Sequence, residues 1–196
     1  MSSETAARSS HSGRLFLVTA PSGAGKSSLV NALLQREPAL KLSISHTTRQ
    51  PRPGEENGRE YHFVSEAEFL AMRERGEFLE SALVHGNYYG TPLGPIREHV
   101  QQGDAVFLEI DVQGAFQVLD KIPEAKLIFI APPSMEVLEQ RLRGRATDSE
   151  EQITLRLANA AGELEASKRY HHVVVNDELE RATQELVQVI QSYVGY

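Results

Sequence analysis

The chain has 196 residues, no cysteine and a formal net charge of −7. The length suits one α/β domain with small insertions, and the lack of cysteine excludes a disulfide framework, a thiol nucleophile and a cysteine-bound zinc. No apolar run approaches the roughly 20 residues of a membrane span, and the acidic balance argues against a nucleic-acid-binding surface. Residues 1–12 are rich in Ser and Ala, so we expect a disordered tail rather than a signal peptide, and a cytoplasmic protein.

The first predicted elements are a strand, a glycine-rich turn and a helix. The apolar run Leu15–Val18 precedes the turn Ala20–Ser27, and a helical pattern follows it. This order is the setting in which a phosphate-binding loop works. The strict pattern begins with Gly where this chain has Ala20, which weakens the match slightly. The alternative is a chance glycine-rich turn that carries a solvated lysine.

The residue types in the turn suit the phosphates of a nucleotide. Gly23 and Gly25 let the backbone turn tightly, so that successive N–H groups point into one hollow at a helix N-terminus. Lys26 can reach the β- and γ-phosphates, and the Ser27 hydroxyl can bind Mg²⁺. The turn therefore predicts an ATP site.

Strands and helices alternate along much of the chain. Buried parallel strands are predicted at Leu15–Thr19, Ala105–Ile110, Lys126–Ile130 and His172–Val175. Helices are predicted from Ser27 to about Arg36, from Ser134, and over Leu179–Tyr193. This alternation predicts an α/β fold with a parallel sheet flanked by helices.

The segment from about 42 to 92 breaks this rhythm. Residues alternate at Leu42 and Ile44 and again over Tyr61–Val64, and a helix is predicted from Ser65, with Ser65 and Glu68 as a capping box. We expect a small mixed α/β insertion at the carboxyl ends of the strands, where ligands bind in such sheets.

Several side chains of the insertion suit an anionic ligand that forms hydrogen bonds. Arg49 and Arg52 can recognise phosphate as forks, and Tyr61 and Tyr89 offer hydroxyl donors. Glu80 can accept two parallel N–H bonds, as the N1–H and 2-amino edge of guanine would supply. A solvated polar loop is the alternative, but the whole cluster favours a second substrate site.

Glu109 and Asp111 follow the apolar run Val106–Leu108. If both belong to the strand, positions i and i+2 share one face and both carboxylates point into one cleft. An acidic residue at such a strand end serves Mg²⁺ directly or through water. An ordinary polar strand terminus is the alternative.

Arginines are also concentrated after residue 140. Arg141 and Arg145 are four residues apart and share a helix face, while Arg143 is expected to be solvated. Ser149 with Gln152 is predicted to cap a further helix that carries Arg156. The two helices, at about 136–160, form a predicted lid over the transferring phosphates. The alternative is a set of surface ion pairs with Glu139, Glu150 and Glu151.

These motifs together resemble the guanylate kinases, of the bacterial type, from about residue 13 to the C-terminus. The motifs that carry the resemblance are Pro21–Ser27, Ser45–Arg52, Gly86–Thr91, Leu108–Gly114 and Ile130–Ser134. The resemblance implies a P-loop NTPase-type sheet with a GMP-binding insertion and a helical lid. It also implies phosphorylation of GMP or dGMP to the diphosphate, with ATP as co-substrate and Mg²⁺ as cofactor.

The resemblance also implies residue roles. The ATP site is Ala20, Pro21, Ser22, Gly23, Ala24, Gly25, Lys26, Ser27, Ser28, Arg141, Arg145 and Asn176. The GMP site is Ser45, Arg49, Arg52, Glu55, Tyr61, Glu80, Tyr89, Thr91, Asp111, Gly114 and Arg156, with Glu80, Thr91 and Asp111 at the guanine edge. The catalytic residues are Lys26, Arg141, Arg145 and Arg156. Mg²⁺ is assigned to Ser27, with Glu109 and Asp111 acting directly or through water.

Two departures and two alternatives accompany the resemblance. Ala20 replaces the first Gly of the loop, and Ala146 replaces a Gly that often follows the lid arginine. One alternative is a guanylate-kinase-like interaction module without catalysis, and the other is a related sugar-phosphate kinase. Neither nucleic acid nor membrane is an expected partner, and a homo-oligomer is left open.

Overall fold

The computed structural model of the chain describes residues 14–84, 86–144 and 149–194. The predicted tail 1–12, Arg145 and Ala146 lie outside the described residues. The strands are β1 (Leu15–Thr19), β2 (Lys41–Ser43), β3 (His46–Thr47), β4 (His62–Phe63), β5 (Phe78–Val84), β6 (Asn87–Pro92), β7 (Val106–Glu109), β8 (Lys126–Ala131) and β9 (His172–Val175). The helices are α1 (Lys26–Arg36), α2 (Glu66–Glu74), α3 (Leu93–Gln102), α4 (Val112–Lys121), α5 (Met135–Gly144), α6 (Glu150–Ala166), a short 3₁₀ helix (Ser167–Arg169) and α7 (Leu179–Val194).

Five strands form a sheet in the order β2, β7, β1, β8, β9. The pairs β2–β7 and β8–β9 are parallel, with Leu42 opposite Phe107 and Ile130 opposite Val174. The α/β fold with a parallel sheet is confirmed, and all four predicted strands are present. The fifth strand, β2, contains Leu42, whose alternation the sequence assigned to the insertion. The strand is short and half-buried, so its apolar signal is weak.

The described residues divide into two compact units, and the chain passes from one to the other within β1. The first unit extends to Leu17 and resumes at Ala39–Ala125, and the second comprises Val18–Pro38 and the residues from Lys126 onward. The predicted guanine and phosphate residues of the insertion lie in the first unit. The phosphate loop lies in the second unit, as do Arg141 and Arg156.

The first unit contains a four-stranded sheet in the order β4, β3, β6, β5. Helix α2 packs on this sheet through Phe69, whose ring stacks on Phe78 and Tyr88 at centroid distances of 4.6 and 5.4 Å. The helix begins after Ser65, and the Ser65 Oγ accepts a hydrogen bond from the Glu68 N–H at 3.2 Å. That bond stabilises the predicted start of α2, because it satisfies one of the N–H groups that a helix leaves unpaired.

The second unit packs α1 against α7 and α5 against α6. The sides of α1 and α7 are also joined by an ion pair between Arg36 and Glu180. The α5–α6 contact buries four residues that share an apolar cluster, namely Leu138, Leu142, Ile153 and Ala160. The predicted capping box at the start of α6 is confirmed, with Ser149 and Gln152 exchanging hydrogen bonds of 3.0 and 3.3 Å. Within the described ranges, no helix combines the length and the apolar character that crossing a membrane requires.

Two glycine substitutions are expected to change stability in opposite directions. Gly103 ends α3 at φ +83°, a left-handed conformation that costs an L-residue roughly 1–2 kcal/mol, so Gly103→Ala should lower the free energy of unfolding by about 1 kcal/mol. Gly162 lies exposed inside α6, where a Cβ would meet nothing within 4 Å. Gly162→Ala should therefore raise the free energy of unfolding by about 0.5–1 kcal/mol. Urea denaturation of both variants measures the pair, and shifts of the same sign would contradict this assignment.

Candidate active site in two half-sites

The second unit presents the predicted phosphate loop as the start of a helix. Gly25 is the N-cap of α1 in the left-handed region, at φ 86° and ψ 21°, and α1 begins at Lys26. The turn before it is closed by a hydrogen bond from the Ala24 N–H to the Pro21 carbonyl, at 3.0 Å. As a glycine, Gly25 has no side chain to cap the first N–H groups of α1, and such groups bind phosphate oxygens well.

Both loop glycines are needed because other elements lie close to the loop. A Cβ on Gly23 would be 2.9 Å from Leu142 Cδ2 and 3.0 Å from Leu138 Cδ1. A Cβ on Gly25 would be 2.5 Å from Asn176 Nδ2. The loop is therefore packed against α5 and against the residue that follows β9.

Two residues that the sequence assigned to ATP, Asn176 and Arg141, contact this loop, as does Arg156, which it assigned to the GMP site and to catalysis. Asn176 is buried, and its Nδ2 donates to the Ala24 carbonyl at 2.8 Å. Arg141 donates to the same carbonyl at 3.3 Å and to the Asn176 carbonyl at 2.9 Å. Arg156 donates to the Ser22 hydroxyl at 3.0 Å. The structure thus brings Arg141, Arg156 and Asn176 together at the loop, while Arg145 lies outside the described residues.

Surface ion pairs were the alternative expectation for Arg141, Arg145 and Arg156. Such pairs form at the neighbouring Arg143. Arg143 pairs with Glu139 and Glu150 on the exposed side of α5. It was expected to be solvated, and its side chain is indeed 47% exposed, although both carboxylates contact it. The hydrogen bonds of Arg141 lead to backbone carbonyls of the loop instead.

In the first unit, Glu80 is the most unusual group. Its side chain is 3% exposed in β5, and its Oε1 accepts a hydrogen bond from the Thr91 hydroxyl. Ser45 Oγ lies 3.4 Å from the same hydroxyl. The second carboxyl oxygen, Oε2, is buried and has no hydrogen-bond partner among the described residues. Burial raises the pKa of Glu80 to about 7, with a further contribution from the Asp111 carboxylate.

The unpaired oxygen of Glu80 faces the start of α4. A Cβ on Gly114 would lie 2.5 Å from Glu80 Oε2 and 3.5 Å from Asp111 Oδ2. Gly114 therefore leaves room between two carboxyl groups. Two acceptors around one hollow suit a ligand edge with adjacent N–H donors.

The placement of Asp111 on a strand is wrong. Strand β7 ends at Glu109, and Asp111 is the N-cap of α4, where its Oδ1 accepts from the N–H groups of Gln113 and Gly114 at 2.8 and 3.1 Å. Short polar side chains compete for the first N–H groups of a helix, and that preference places Asp111 at the start of α4. Glu109 and Asp111 therefore do not share one face of a strand.

The predicted phosphate-binding residues of the insertion surround Arg49. Glu55 accepts two parallel hydrogen bonds from Arg49, each of 2.9 Å, and a third from the Arg52 N–H at 2.7 Å. Burial opposes ionisation, but the Arg49 and Arg52 hydrogen bonds prevail and hold the pKa of Glu55 below its usual value. The guanidinium lies 5.4 Å from the Tyr61 ring centroid. Tyr89 is close by, with its ring centroid 5.8 Å from that of Tyr61.

Tyr61 is a hydrogen-bond donor at all physiological pH values. Burial, followed by the nearby Glu109 carboxylate, raises the pKa of its phenol to about 12. The hydroxyl therefore keeps its proton when a phosphate approaches. The remaining predicted residues of this half-site, Ser45 and Thr91, are buried beside Glu80.

Across residues 14–84, 86–144 and 149–194, no three or more His, Asp or Glu side chains form a cluster that could hold a metal ion. Mg²⁺ keeps several waters and takes one or two protein ligands together with substrate phosphates. Ser27, exposed in the first turn of α1, is such a ligand position.

Two contacts of this half-site have no counterpart among the predicted site residues. Gln117 and Lys121 of α4 form hydrogen bonds with the backbone of β5 on either side of Glu80. Their i, i+4 spacing places them on one helix face. That spacing was visible in the sequence, but the strand they contact could not be identified from it.

Comparison with known proteins shows which family this chain resembles. A family model described as guanylate kinase matches residues 12–193. A guanylate kinase from Aromatoleum aromaticum is 52% identical over 180 residues, which are 92% of this chain and 88% of that protein. One from Cupriavidus metallidurans is 52% identical over 188 residues, covering 96% of this chain and 87% of that protein. The crystal structure of guanylate kinase from Anaplasma phagocytophilum matches with a TM-score of 0.78 and 33% identity, over 95% of this chain and 88% of that one.

The buried carboxyl group of Glu80 should make stability depend on pH. Its pKa is about 7 in the folded chain and 4.5 ordinarily, so between these values the native state holds a proton that the unfolded chain releases. The free energy of unfolding therefore falls as pH rises through this window, by about 3 kcal/mol from this group. Glu80→Gln should remove that part of the dependence. Urea denaturation of both proteins from pH 4.5 to 8 tests this, and parallel curves would contradict the pKa.

Proposed function

The chain belongs to the guanylate kinase family, and we propose that it carries out that family's reaction, the ATP-dependent phosphorylation of GMP and dGMP. The second unit supplies the ATP half-site and the first unit supplies the GMP half-site. The observation that carries the GMP assignment is the buried Glu80 carboxyl group, which has one oxygen unpaired beside Asp111.

In the proposed ATP half-site, the loop Ala20–Ser28 holds the phosphates through backbone N–H groups and the Lys26 ammonium. Asn176 and Arg141 hold the Ala24 carbonyl, which fixes the direction of the loop. Arg141, Arg145 and Arg156 supply positive charge to the transferring group. Ser27 would hold Mg²⁺, which screens the phosphate charges and orients them when bound.

In the proposed GMP half-site, Arg49, Arg52, Tyr61 and Tyr89 bind the phosphate. Glu55 orients Arg49 through its two parallel hydrogen bonds. Glu80 and Asp111, with Thr91 and Ser45 beside them, accept the N–H groups of the guanine edge. Adenine presents no N–H group at its N1 position, so it would leave the Glu80 oxygen unpaired.

The reaction itself needs no protein base. The second pKa of a phosphate monoester is about 6, so the attacking oxygen of GMP is already an anion at neutral pH. The protein must align two polyanions and offset their charge, which accounts for a site with arginines and one lysine.

The two alternatives fit the structure less well. An interaction module has no need for a loop with Lys26 and Ser27 at the start of α1, and a sugar phosphate has no pair of N–H groups to match Glu80. The proposed reaction involves no nucleic acid or membrane partner. Its nucleotide substrates place the enzyme in the cytoplasm.

Substrate profiling tests the proposal. Release of ADP would be followed by a coupled assay with GMP, dGMP, AMP, UMP, CMP and ribose 5-phosphate. We expect turnover with GMP and dGMP and little with the others. No turnover with any acceptor would support the interaction module, and turnover with the sugar phosphate alone would support the second alternative.

Lys26→Ala should nearly abolish transfer while the fold is kept. Removal of a preorganised charge from the loop costs roughly 3–4 kcal/mol of transition-state stabilisation, or about 10²–10³ in kcat. Lys168→Ala is the matched control, since that exposed lysine pairs with Glu165 at the surface. Turnover of GMP by Lys26→Ala at close to the parent rate would overturn the ATP assignment.

Glu80→Gln should reduce the preference for guanine. The change keeps the shape of the side chain but turns one acceptor into an NH₂ donor facing N–H groups, which costs about 1–3 kcal/mol. The kcat/KM for GMP should fall roughly ten- to a hundredfold, and AMP should gain relative to GMP. Glu124→Gln, an exposed position of the same unit, is the control. An unchanged GMP/AMP ratio would remove Glu80 from base recognition.

A further inference from the structure

The direction of the Glu80 side chain depends on an irregularity in β5. The strand pairs antiparallel with β6, with Phe78 opposite Pro92 and Glu80 opposite Thr91. Pro92 and Thr91 are neighbours on β6, whereas their partners Phe78 and Glu80 are two residues apart on β5. Leu79 is therefore an extra residue in the ladder of paired residues. Such a bulge bends a strand and changes the direction of the side chains next to it. The backbone at Leu79 therefore decides where the Glu80 carboxyl group points.

Strand β5 is at the edge of its sheet, so among the described strands only β6 pairs with it. Side chains of helix α4 contact the other edge of β5, at the bulge. Gln117 Nε2 donates to the Ser81 carbonyl at 3.1 Å, and its Oε1 accepts from the Ser81 N–H at 3.4 Å. Lys121 Nζ donates to the carbonyl of Leu79, the extra residue. The two side chains thus hold the backbone immediately before and immediately after Glu80.

The same helix also faces the Glu80 carboxyl group. Its N-cap Asp111 and its Gly114 lie beside Glu80 Oε2. The charged groups that act on Glu80 are Asp111, which raises its pKa, and Lys121, which lowers it, while Thr91 of β6 donates a hydrogen bond. Helix α4 therefore contacts the backbone on both sides of Glu80 and also lies beside its carboxyl group, which we propose recognises guanine.

We propose that Gln117 and Lys121 are positioning residues for base recognition, which clamp the Leu79 bulge so that Glu80 meets the guanine edge. This inference rests on the proposed phosphorylation of GMP. It assigns a specificity role to two residues that contact the backbone on either side of Glu80. Loss of the hydrogen bonds of Gln117 or of Lys121 should let the backbone at Leu79 relax and should displace the carboxyl oxygens of Glu80.

The first test is the variant Lys121→Met, which keeps the stem of the side chain and removes the ammonium. We expect KM for GMP to rise roughly three- to tenfold, the range of one net hydrogen bond, while KM for ATP stays the same. Gln117→Leu should act in the same direction. Lys121→Arg keeps a charged donor and should recover most of the loss. Lys168→Met, the same substitution at an exposed position in the other unit, should leave both KM values unchanged.

The second readout is the pH profile of kcat/KM for GMP. Without the Lys121 charge, the Asp111 carboxylate still opposes ionisation of Glu80 and no longer has the Lys121 ammonium to offset it. The ionisation of Glu80 should therefore move to higher pH. The acid limb of the profile should therefore shift to higher pH in Lys121→Met, and stay in place in Lys168→Met and Gln117→Leu. A residue that only stabilises the fold would lower the unfolding midpoint without moving this limb.

The outcomes separate this inference from the proposed function. If the parent enzyme fails to phosphorylate GMP, the proposed function fails. If the parent turns over GMP and both variants keep its KM for GMP and its GMP/AMP ratio within twofold, the clamp is refuted. Should Lys121→Met not fold, Gln117→Leu and Lys121→Arg decide the matter, and parental base preference in Gln117→Leu would refute the clamp.

Discussion

Burial of a carboxyl group at Glu80 is the constraint around which the first unit is arranged. An ionised carboxylate loses its hydration there, and Thr91 satisfies only one of its two oxygens. Much of the neighbouring structure is needed to hold the group in that position: a bulge at Leu79 directs it, and Gly114 leaves space beside it. The second oxygen, which has no hydrogen-bond partner among the described residues, would gain one from a ligand that brings N–H donors. The proposed recognition of the base and the cost of burying Glu80 without a full set of hydrogen bonds therefore have the same physical origin.

The second unit meets a different requirement, since we propose that its loop, which lies between β1 and α1, binds a polyanion through backbone N–H groups. The Ala24 carbonyl accepts hydrogen bonds from both Asn176 and Arg141. Gly23 and Gly25 then let the loop approach its neighbours more closely than any other residue would allow. In the proposed ATP half-site, the N–H groups at the start of α1 are then available to phosphate oxygens. Arg141 therefore holds the loop, in addition to the charge that we propose it offers to a phosphate.

Much of this arrangement was predictable from the sequence, because strong local signals decide it. The run Leu15–Thr19 and the glycines after it predict strand, loop and helix without tertiary information, and the Ser149–Gln152 box marks the start of α6. Weaker elements were missed where tertiary contacts decide the structure. Strand β2 has only three residues, and Asp111 was placed on a strand because a helix N-cap and a strand end look alike there. The pairing of Arg49 with Glu55 depends on the turn conformation of the loop between them, and the contacts of α4 with β5 depend on long-range packing, which spacing along the chain does not encode.

The titration of Glu80 in the free and GMP-bound protein tests the central claim most directly. Carboxyl ¹³C NMR of glutamate-labelled protein, with Glu80 assigned by the signal lost in Glu80→Gln, would follow its ionisation. The account predicts a midpoint near the pKa of about 7 in the free protein and a fall to below 4.5 with GMP bound, because guanine N–H groups stabilise the carboxylate. AMP should leave the midpoint near 7. A free-protein midpoint at the ordinary value, or one that GMP does not lower, would contradict the account.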